Sequence, residues 1–280
     1  MESADNNALK SKVKDHWEDE TCGTRYGTET DRERYFDEIS TTRYTLEPYI
    51  PLFADFQSAT NQRVLEIGIG AGADFQNWCS FASHATGVDL TDHAVSLTRE
   101  RLNLNSIPPE RYALLTTDAE NLPFDDSSFD IVYSWGVLHH TPNTYRAFQE
   151  AHRVLRPGGI LRAMIYHHPS WTGLMLYVQH ALARGQIRTS MKGIVYEHLE
   201  SPGTKVYTLD ETKEFLARIG FSGIKLSTKL GPGDLLTIKP SKKYDAAFFK
   251  VVWRVYPRWL IRLMGDRLGL ALLIAASKAS

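Results

Sequence analysis

The sequence predicts an α/β fold built around a mostly parallel sheet. From residue 63 onward, short apolar runs typical of buried strands alternate with amphipathic segments long enough for helices. The first run ends in a glycine-rich turn, and the second and third each end in an aspartate. Such alternation is typical of βαβ units with right-handed crossovers, whose strands run parallel. Ligands of these sheets bind at the carboxyl ends of the strands, where the strand order reverses.

The elements follow from apolar spacing and from turn residues between the runs. Strands are predicted at 63–69, 85–90, 112–118, 129–135, 158–166, 223–230 and 270–278. Helices are predicted at 6–18, 29–56 with breaks at Thr41-Thr42 and near Pro48 and Pro51, 73–83, 91–103, 143–155 and 209–219. Thr208 and Glu211 form a capping-box pattern at the start of the last helix.

Two stretches, 167–207 and 231–268, interrupt the alternation and are longer than the connections usual in a compact core. Both follow strands on the expected ligand side, so we predict that they form a substrate cap. The chain then divides into an N-terminal helical lid (1–60), a ligand-binding core (61–166), an insertion that caps the substrate (167–207), a continuation of the core (208–230), a hydrophobic and basic insertion (231–268) and a last core strand (269–280).

The composition excludes several classes of protein. With 280 residues, 42% of them hydrophobic, the chain can bury one large core. A net charge of −1 provides no overall field for nucleic acid. Cys22 and Cys79 are the two cysteines, and the polar N-terminus lacks a signal-peptide core, so we expect a cytoplasmic protein. No apolar run of about 18 residues predicts a membrane-spanning helix.

The glycine-rich turn reads VLEIGIGAGADF (64–75) and contains Gly68, Gly70 and Gly72. Glycine lets the backbone turn tightly and approach a ligand closely. Dinucleotide-binding turns prefer the spacing G-x-G-x-x-G, whereas here Glu66 precedes three glycines spaced by two. A carboxylate at this place would repel a pyrophosphate and suits an amino group or a sulfonium. Alternatively, Glu66 is a structural acceptor for loop amides.

Three more strand ends carry polar side chains. Asp89 ends the second strand and can accept hydrogen bonds from two ribose hydroxyls. Asp118 ends the third strand and can accept from an adenine amino group. The fourth strand runs into SWGVLHH (134–140).

These segments together resemble the class I S-adenosylmethionine-dependent methyltransferases. The chain is similar to the bacterial small-molecule members, which include the ubiquinone and menaquinone methylases. The resemblance rests on five motifs in the family's order, namely the glycine turn, Asp89, DAENLPFDDSSFD (118–130), VLHH (137–140) and LRPGG (155–159). Each motif alone is weak, but five in order are specific.

The resemblance implies a Rossmann-like, seven-stranded sheet whose last strand is antiparallel. It implies S-adenosyl-L-methionine as cofactor and methyl transfer to a small hydrophobic or aromatic acceptor. The expected cofactor-binding residues are Glu66, Gly68, Gly70, Gly72, Asp89, Leu90, Asp118, Ala119, Ser134 and Trp135. The N-terminal helices, with Trp17, Arg25 and Tyr26, would close over the site as a lid.

The acceptor side is predicted from histidines and aromatic residues. His139, His140 and His167 are candidate general bases, because histidine titrates near neutral pH. Alternatively, one histidine of the pair His139 and His140 braces the loop after strand four, and His167 only ends a strand before a proline turn. The expected substrate-binding residues are Trp17, Tyr26, Tyr166, His168 and Trp171. No spacing typical of metal ligands accompanies the histidines, so no metal is expected.

Residues 244–264 combine aromatic and aliphatic side chains with basic residues four apart. This helix would pack on the protein or on a second subunit of a homodimer, or it would rest on a membrane surface. Two other functions compete with methyl transfer. One is a non-catalytic cofactor-binding or membrane-associated partner protein. The other is an NAD(P)-dependent oxidoreductase, against which Glu66 and the glycine spacing argue.

Overall fold

The computed structural model describes residues 2–19, 21–185, 188–201, 203–237 and 256–279. Over these ranges the strands are β1 (Arg63–Ile67), β2 (His84–Asp89), β3 (Tyr112–Thr116), β4 (Phe129–Trp135), β5 (Leu155–Tyr166), β6 (Phe221–Lys229) and β7 (Ala271–Lys278). The α-helices are α1 (Glu2–Asp19), α2 (Arg32–Leu46), α3 (Ile50–Ala54), α4 (Ala73–Phe81), α5 (Asp92–Leu104), α6 (Thr144–Val154), α7 (Trp171–His180), α8 (Met191–His198), α9 (Leu209–Ile219) and α10 (Arg258–Leu263). Helix α2 continues through Thr41 and Thr42, so the break predicted there is wrong.

In the described part of the chain these strands form one sheet in the order β3-β2-β1-β4-β5-β7-β6. Strands β1 to β5 pair in parallel, whereas β7 runs antiparallel to both β5 and β6. The predicted fold class, including the antiparallel last strand, is therefore confirmed. The strand order reverses between β1 and β4, and this is where ligands of such sheets bind.

The central strands are buried because apolar side chains and helices cover both faces of the sheet. All seven residues of β4 are buried. Leu65 of β1 belongs to the cluster that includes α6 and α9, while its neighbour Val64 belongs to the cluster that includes α4 and α5. A parallel strand covered on both sides needs a nearly continuous apolar sequence, which explains the apolar runs in this chain.

Side chains at the helix starts define several helix boundaries. Asp31, Thr91 and Asn143 each accept a hydrogen bond from a backbone amide in the first turn of α2, α5 and α6. The predicted capping box of α9 is confirmed, with reciprocal bonds between Thr208 and Glu211. Caps of this kind contribute about 1 kcal/mol each.

The insertion at 167–207 forms a small helical unit of its own. Helices α7 and α8 pack around a cluster of buried apolar residues, namely Leu176, Ala181, Ile194, Val195 and Val206. The chain then returns beside its starting point, where His167 and Tyr207 form a parallel bridge. The domain boundaries given above stay predictions.

The second insertion is described at 231–237 and from 256 onward. Buried Asp234 accepts hydrogen bonds from the backbone amides of Thr172, Gly231 and Leu270 and from the Thr172 hydroxyl. This carboxylate thereby ties both insertions to the start of β7. No helix in the described ranges combines the length and apolarity needed to cross a membrane.

Candidate active site

A deep cavity lies at the carboxyl ends of the central strands. Its walls come from the glycine turn after β1, the ends of β2, β3 and β4, and the N-terminal segment. It encloses about 1100 Å³ of space between atoms, part of it open solvent at the mouth. Ten predicted site residues line it, namely Trp17, Glu66, Gly68, Gly70, Asp89, Leu90, Asp118, Ala119, Trp135 and His140.

The turn after β1 requires glycine for steric reasons. Gly68 adopts φ +85°, a left-handed conformation that disfavours other residues, and an added Cβ would lie 2.1 Å from Val137 Cγ2. Gly70 has φ +51°, and its added Cβ would lie 3.1 Å from the carbonyl oxygen of Cys22. The turn can therefore approach both the loop after β4 and the N-terminal segment closely.

Glu66 contributes an unpaired oxygen to this cavity. It is 3% exposed, and its Oε2 atom has no hydrogen-bond partner among the described residues. Burial, together with the nearby carboxylate of Asp74, raises the pKa of Glu66 well above its usual value. A ligand with an amino group would supply both the missing hydrogen bond and a compensating charge.

Asp74, by contrast, is held as a charged acceptor. Arg43 of α2 donates to it from Nε at 3.0 Å and from Nη2 at 2.5 Å, and the hydroxyls of Tyr44 and Tyr133 donate at 3.0 and 2.8 Å. Burial opposes ionisation here, but the charge of Arg43 and the hydrogen bonds from Arg43, Tyr133 and Tyr44 together lower the pKa of Asp74. The two neighbouring acids, Glu66 and Asp74, thus have opposite pKa shifts.

Asp89 and Asp118 stand at neighbouring strand ends. Asp89 accepts from the amide of Gly70 at 3.1 Å and from the hydroxyl of Thr91 at 2.9 Å, and burial raises its pKa. Asp118 accepts from Lys10 Nζ of α1 at 2.5 Å. Lys10 also donates to Glu120 at 3.0 Å, so α1 is attached to the edge of the cavity.

The histidines occupy very different places. His140 lines the cavity, and its Nδ1 lies 2.8 Å from the Ser201 hydroxyl. Burial lowers the pKa of His140 to about 3, so its imidazole is neutral. His139 is fully buried between His140 and Tyr166, with ring centroids 4.1 Å from each, and burial lowers its pKa well below the usual value. His167 lies outside the cavity lining, with Nδ1 3.0 Å from the carbonyl of Gly269.

Other predicted residues lie around the cavity or behind it. Ser134 is buried and donates to the carbonyl of Ile67, and Gly72 begins α4 against Thr98. The remaining substrate candidates, which do not line the cavity itself, are Tyr26, Tyr166, His168 and Trp171. Trp17 does line it, and its ring meets His140 edge-on at a centroid distance of 5.4 Å.

Some cavity residues were not predicted from the sequence. Lys10 and Arg43 belong to helices whose docking the apolar pattern does not specify. Asp74 could have been predicted in part from the sequence. It lies in the first turn of α4, directly after the glycine turn, where the helix dipole favours negative charge.

Known proteins share this architecture. Residues 65–163 match the family model described as a methyltransferase domain. Over 118 residues the chain is 32% identical to phosphoethanolamine N-methyltransferase 2 of Caenorhabditis elegans, covering 42% of this chain and 26% of that protein. Over 165 residues it is 28% identical to demethylmenaquinone methyltransferase of Tropheryma whipplei, covering 57% of this chain and 66% of that protein.

A solved structure shows the same fold. Phosphoethanolamine N-methyltransferase 2 of Haemonchus contortus, in complex with phosphomonomethylethanolamine and S-adenosylhomocysteine, superposes with a TM-score of 0.52 at 18% identity, covering 90% of this chain and 61% of that one. The match to the family model spans β1 to β5 and includes the glycine turn, Asp89, Asp118 and the VLHH segment. Residues 65–163 of the chain therefore match a methyltransferase domain, and the chain spans only part of the length of the relatives named above.

Proposed function

We propose that the protein transfers a methyl group from S-adenosyl-L-methionine to a small acceptor with a hydrophobic or aromatic body. The observation that carries this proposal is the cavity, which brings the glycine turn together with Asp89, Asp118 and the N-terminal segment. These are the places where the family resemblance expects the cofactor. The relatives are named for phosphoethanolamine and demethylmenaquinone, which differ widely in polarity, so likeness alone does not choose the acceptor.

The residues present fit this cofactor. The unpaired Oε2 of Glu66 would receive the amino group of the methionine part. Asp89 would accept from the ribose hydroxyls, and Asp118 from the adenine amine, with Leu90 and Ala119 against the ring. When bound, the cofactor supplies a methyl group on a positively charged sulfur.

The protein's own contribution is to hold the reactants in line and exclude water. Positioning of this kind can lower a barrier by about 7–11 kcal/mol in favourable cases. The candidate bases differ in access, because His140 lines the cavity, whereas His139 and His167 do not. We therefore propose His140 as the histidine nearest the reaction, in its neutral form.

The proposal is tested by calorimetric titration with S-adenosylmethionine and S-adenosylhomocysteine. Asp89→Asn removes a charged acceptor, which contributes about 1.5–3 kcal/mol, so we expect affinity to fall by about 10- to 100-fold. The control is Asp92→Asn, an exposed acid three residues along at the start of α5, which should leave affinity unchanged. Absence of binding by the unmodified protein would refute the proposal, and binding of NADH instead would favour an oxidoreductase.

Contact with a membrane through 244–264 is a further proposal. Residues 244–255 lie outside the described residues, but 256–264 are described. There Trp259, Leu263 and Met264 are 71%, 76% and 51% exposed, beside Arg262. Exposed aromatic and aliphatic side chains next to a basic one are typical of interfacial segments. If the segment contacts a membrane, Trp259→Ser should reduce co-sedimentation of the protein with anionic vesicles. A molecular mass of the protein that rises with its concentration would instead favour packing in a homodimer.

A further inference from the structure

We propose that Arg43, on α2 of the N-terminal segment, binds the carboxylate of the cofactor's methionine part. This inference rests on the proposed methyl transfer and deepens it. The cofactor-binding residues expected from the sequence all lie in the core, between Glu66 and Trp135. Arg43 would add a residue of the lid and make the site specific for a complete amino-acid group.

Arg43 reaches the cavity from the last turn of α2. Its Nε and Nη2 nitrogens donate to the buried carboxylate of Asp74 at 3.0 and 2.5 Å, and 17% of its side chain is exposed. The hydroxyls of Tyr44 and Tyr133 hold the same carboxylate in place. A contact through two nitrogens fixes the plane of a guanidinium. The directions of its remaining N–H groups are therefore fixed as well.

A second edge of this guanidinium is free for a ligand. A guanidinium has five N–H donors, and Asp74 accepts from Nε and from Nη2. Within the part of the chain that the structure describes, Nη1 of Arg43 forms no hydrogen bond, and it is not an enclosed atom. The Nη1 and Nη2 edge of an arginine matches the two oxygens of a carboxylate. Arg43 can therefore bind a ligand carboxylate without releasing Asp74.

Glu66, close by, indicates which carboxylate this is. Its buried Oε2 has no partner among the described residues, and the proposed function assigns the amino group of the methionine part to it. The charge of Arg43 opposes the rise in the pKa of Glu66, so the two side chains lie near each other. An α-amino acid carries its ammonium and its carboxylate on one carbon. A ligand whose ammonium contacts Glu66 therefore brings its carboxylate toward Arg43.

The charges around the cavity require a cation at this place. Three acids whose charges interact line it, namely Glu66, Asp74 and Asp89. They would repel a ligand carboxylate unless a cation offset them. Among the described residues that line the cavity, the lysine and arginine side chains are Lys10 and Arg43. Because Lys10 is bonded to Asp118 and Glu120, Arg43 is the cation available to the carboxylate.

This contact would join the lid to the core through the ligand. Arg43 belongs to α2, whereas Glu66 belongs to β1. A ligand with both an ammonium and a carboxylate contacts the two elements together. A ligand without the carboxylate contacts Glu66 but not Arg43. Affinity and protection of α2 should therefore depend on the same chemical group.

Calorimetric titration of the unmodified protein compares two ligands that differ only in this group. S-adenosylhomocysteine carries the carboxylate, and S-adenosyl-3-thiopropylamine lacks it. We expect the second ligand to bind about 10- to 100-fold more weakly, as for the loss of a hydrogen bond to a charged group. Equal affinities would overturn the inference.

Arg43→Gln assigns this preference to one side chain. The variant should bind S-adenosylhomocysteine about 10- to 100-fold more weakly and should bind the two ligands with nearly equal affinity. A merely structural role of Arg43 would weaken both ligands alike and preserve their ratio, which would overturn the inference. The matched control is Arg32→Gln, which changes another arginine of α2 that pairs with an acid, Glu100, but lies outside the cavity lining. It should keep the preference of the unmodified protein.

Hydrogen exchange of α2 in the unmodified protein makes the test independent of whether Arg43→Gln folds. At equal saturation, S-adenosylhomocysteine should slow exchange in α2 more than S-adenosyl-3-thiopropylamine does, because only the former can contact Arg43. Equal protection of α2 by the two ligands would contradict the inference and leave the proposed methyl transfer standing. If neither ligand binds the unmodified protein, the proposed function itself fails.

Discussion

At the scale of single residues, burial decides which acids and histidines carry charge. Glu66 and Asp74 are both buried, but only Asp74 has a guanidinium bonded to it. His140 sits in a motif that sequence reasoning interpreted as a base or a brace. The structure places it in the cavity wall with a pKa of about 3, so it is a neutral group at physiological pH.

This burial predicts a pH dependence of stability. The folded pKa of His140 lies at about 3, below the value of about 6.5 expected in the unfolded chain. Below pH ~6.5 the unfolded chain therefore binds a proton at His140 more readily than the folded chain does. The stability that the neutral His140 contributes is fully present above that pH and is lost as pH falls from there toward 3. The loss is about 1.4 kcal/mol for each pH unit.

Denaturant unfolding near pH 7.5 and pH 5.5 measures this effect. His140→Gln should lose less unfolding free energy between the two conditions than the unmodified protein, by on the order of 1 kcal/mol. The control is His93→Gln, which changes an exposed histidine of α5. It should lose as much unfolding free energy between the two pH values as the unmodified protein does. An equal loss of unfolding free energy in all three proteins would contradict the burial of a neutral His140.

At the scale of elements, the position of the insertion at 167–207 depends on side chains that join segments far apart in sequence. Asp234 bonds to the start of α7, to its own loop and to the residue before β7. The hydroxyl of Ser201, in the same insertion, lies 2.8 Å from Nδ1 of His140 in the core. The insertion is therefore positioned by a few polar contacts as well as by the apolar cluster beneath α7 and α8.

Asp234→Ala tests this arrangement. The substitution leaves the amides of Thr172, Gly231 and Leu270 without their acceptor, and we expect a loss of roughly 2–4 kcal/mol in unfolding free energy. Asp266→Ala is the matched control, because Asp266 pairs with Lys229 but its side chain is 42% exposed. Its loss should stay below about 1 kcal/mol. Similar losses for the two variants would show that Asp234 has no special role.

At the scale of the whole molecule, the N-terminal segment and the core form one site. Arg101 of α5 donates to the carbonyl of Ala71 in the glycine turn at 3.0 Å and to the carbonyl of Phe36 in α2 at 3.1 Å. Phe36, Ile39, Ala71 and Leu97 form a buried cluster at the same junction. Residues of the N-terminal segment and of the core therefore line the cavity together.

Ligand binding should accordingly stabilise the lid. Hydrogen exchange with and without S-adenosylhomocysteine is the measurement, and we expect slower exchange in α1 and in the loop at 21–28. At a ligand concentration 100-fold above Kd, the stabilisation is about 2.7 kcal/mol. Helix α9 packs on the other face of the sheet and serves as the internal control. Protection confined to the core strands would show that α1 does not close over the ligand.

The sequence by itself determined the elements and their class. The seven strands were predicted to within a few residues, because burial on both faces of a parallel sheet leaves a continuous apolar run. The largest difference is β5, which begins at Leu155 rather than 158, since Leu155 pairs with Phe129 across a bulge. The sequence also placed Glu66, Asp89 and Asp118 together, and all three line the cavity, because strand ends of a parallel sheet converge.

Only the tertiary structure decided which distant side chains meet. The contacts of Lys10 with Asp118, Arg43 with Asp74 and Tyr166 with Glu200 join residues separated by 108, 31 and 34 positions. Periodicity records which face of an element is buried, but not what docks against it. Charge states follow from the same contacts, since burial and the nearest partner set each pKa. The partners that set the charge of each buried side chain therefore became visible only in the folded chain.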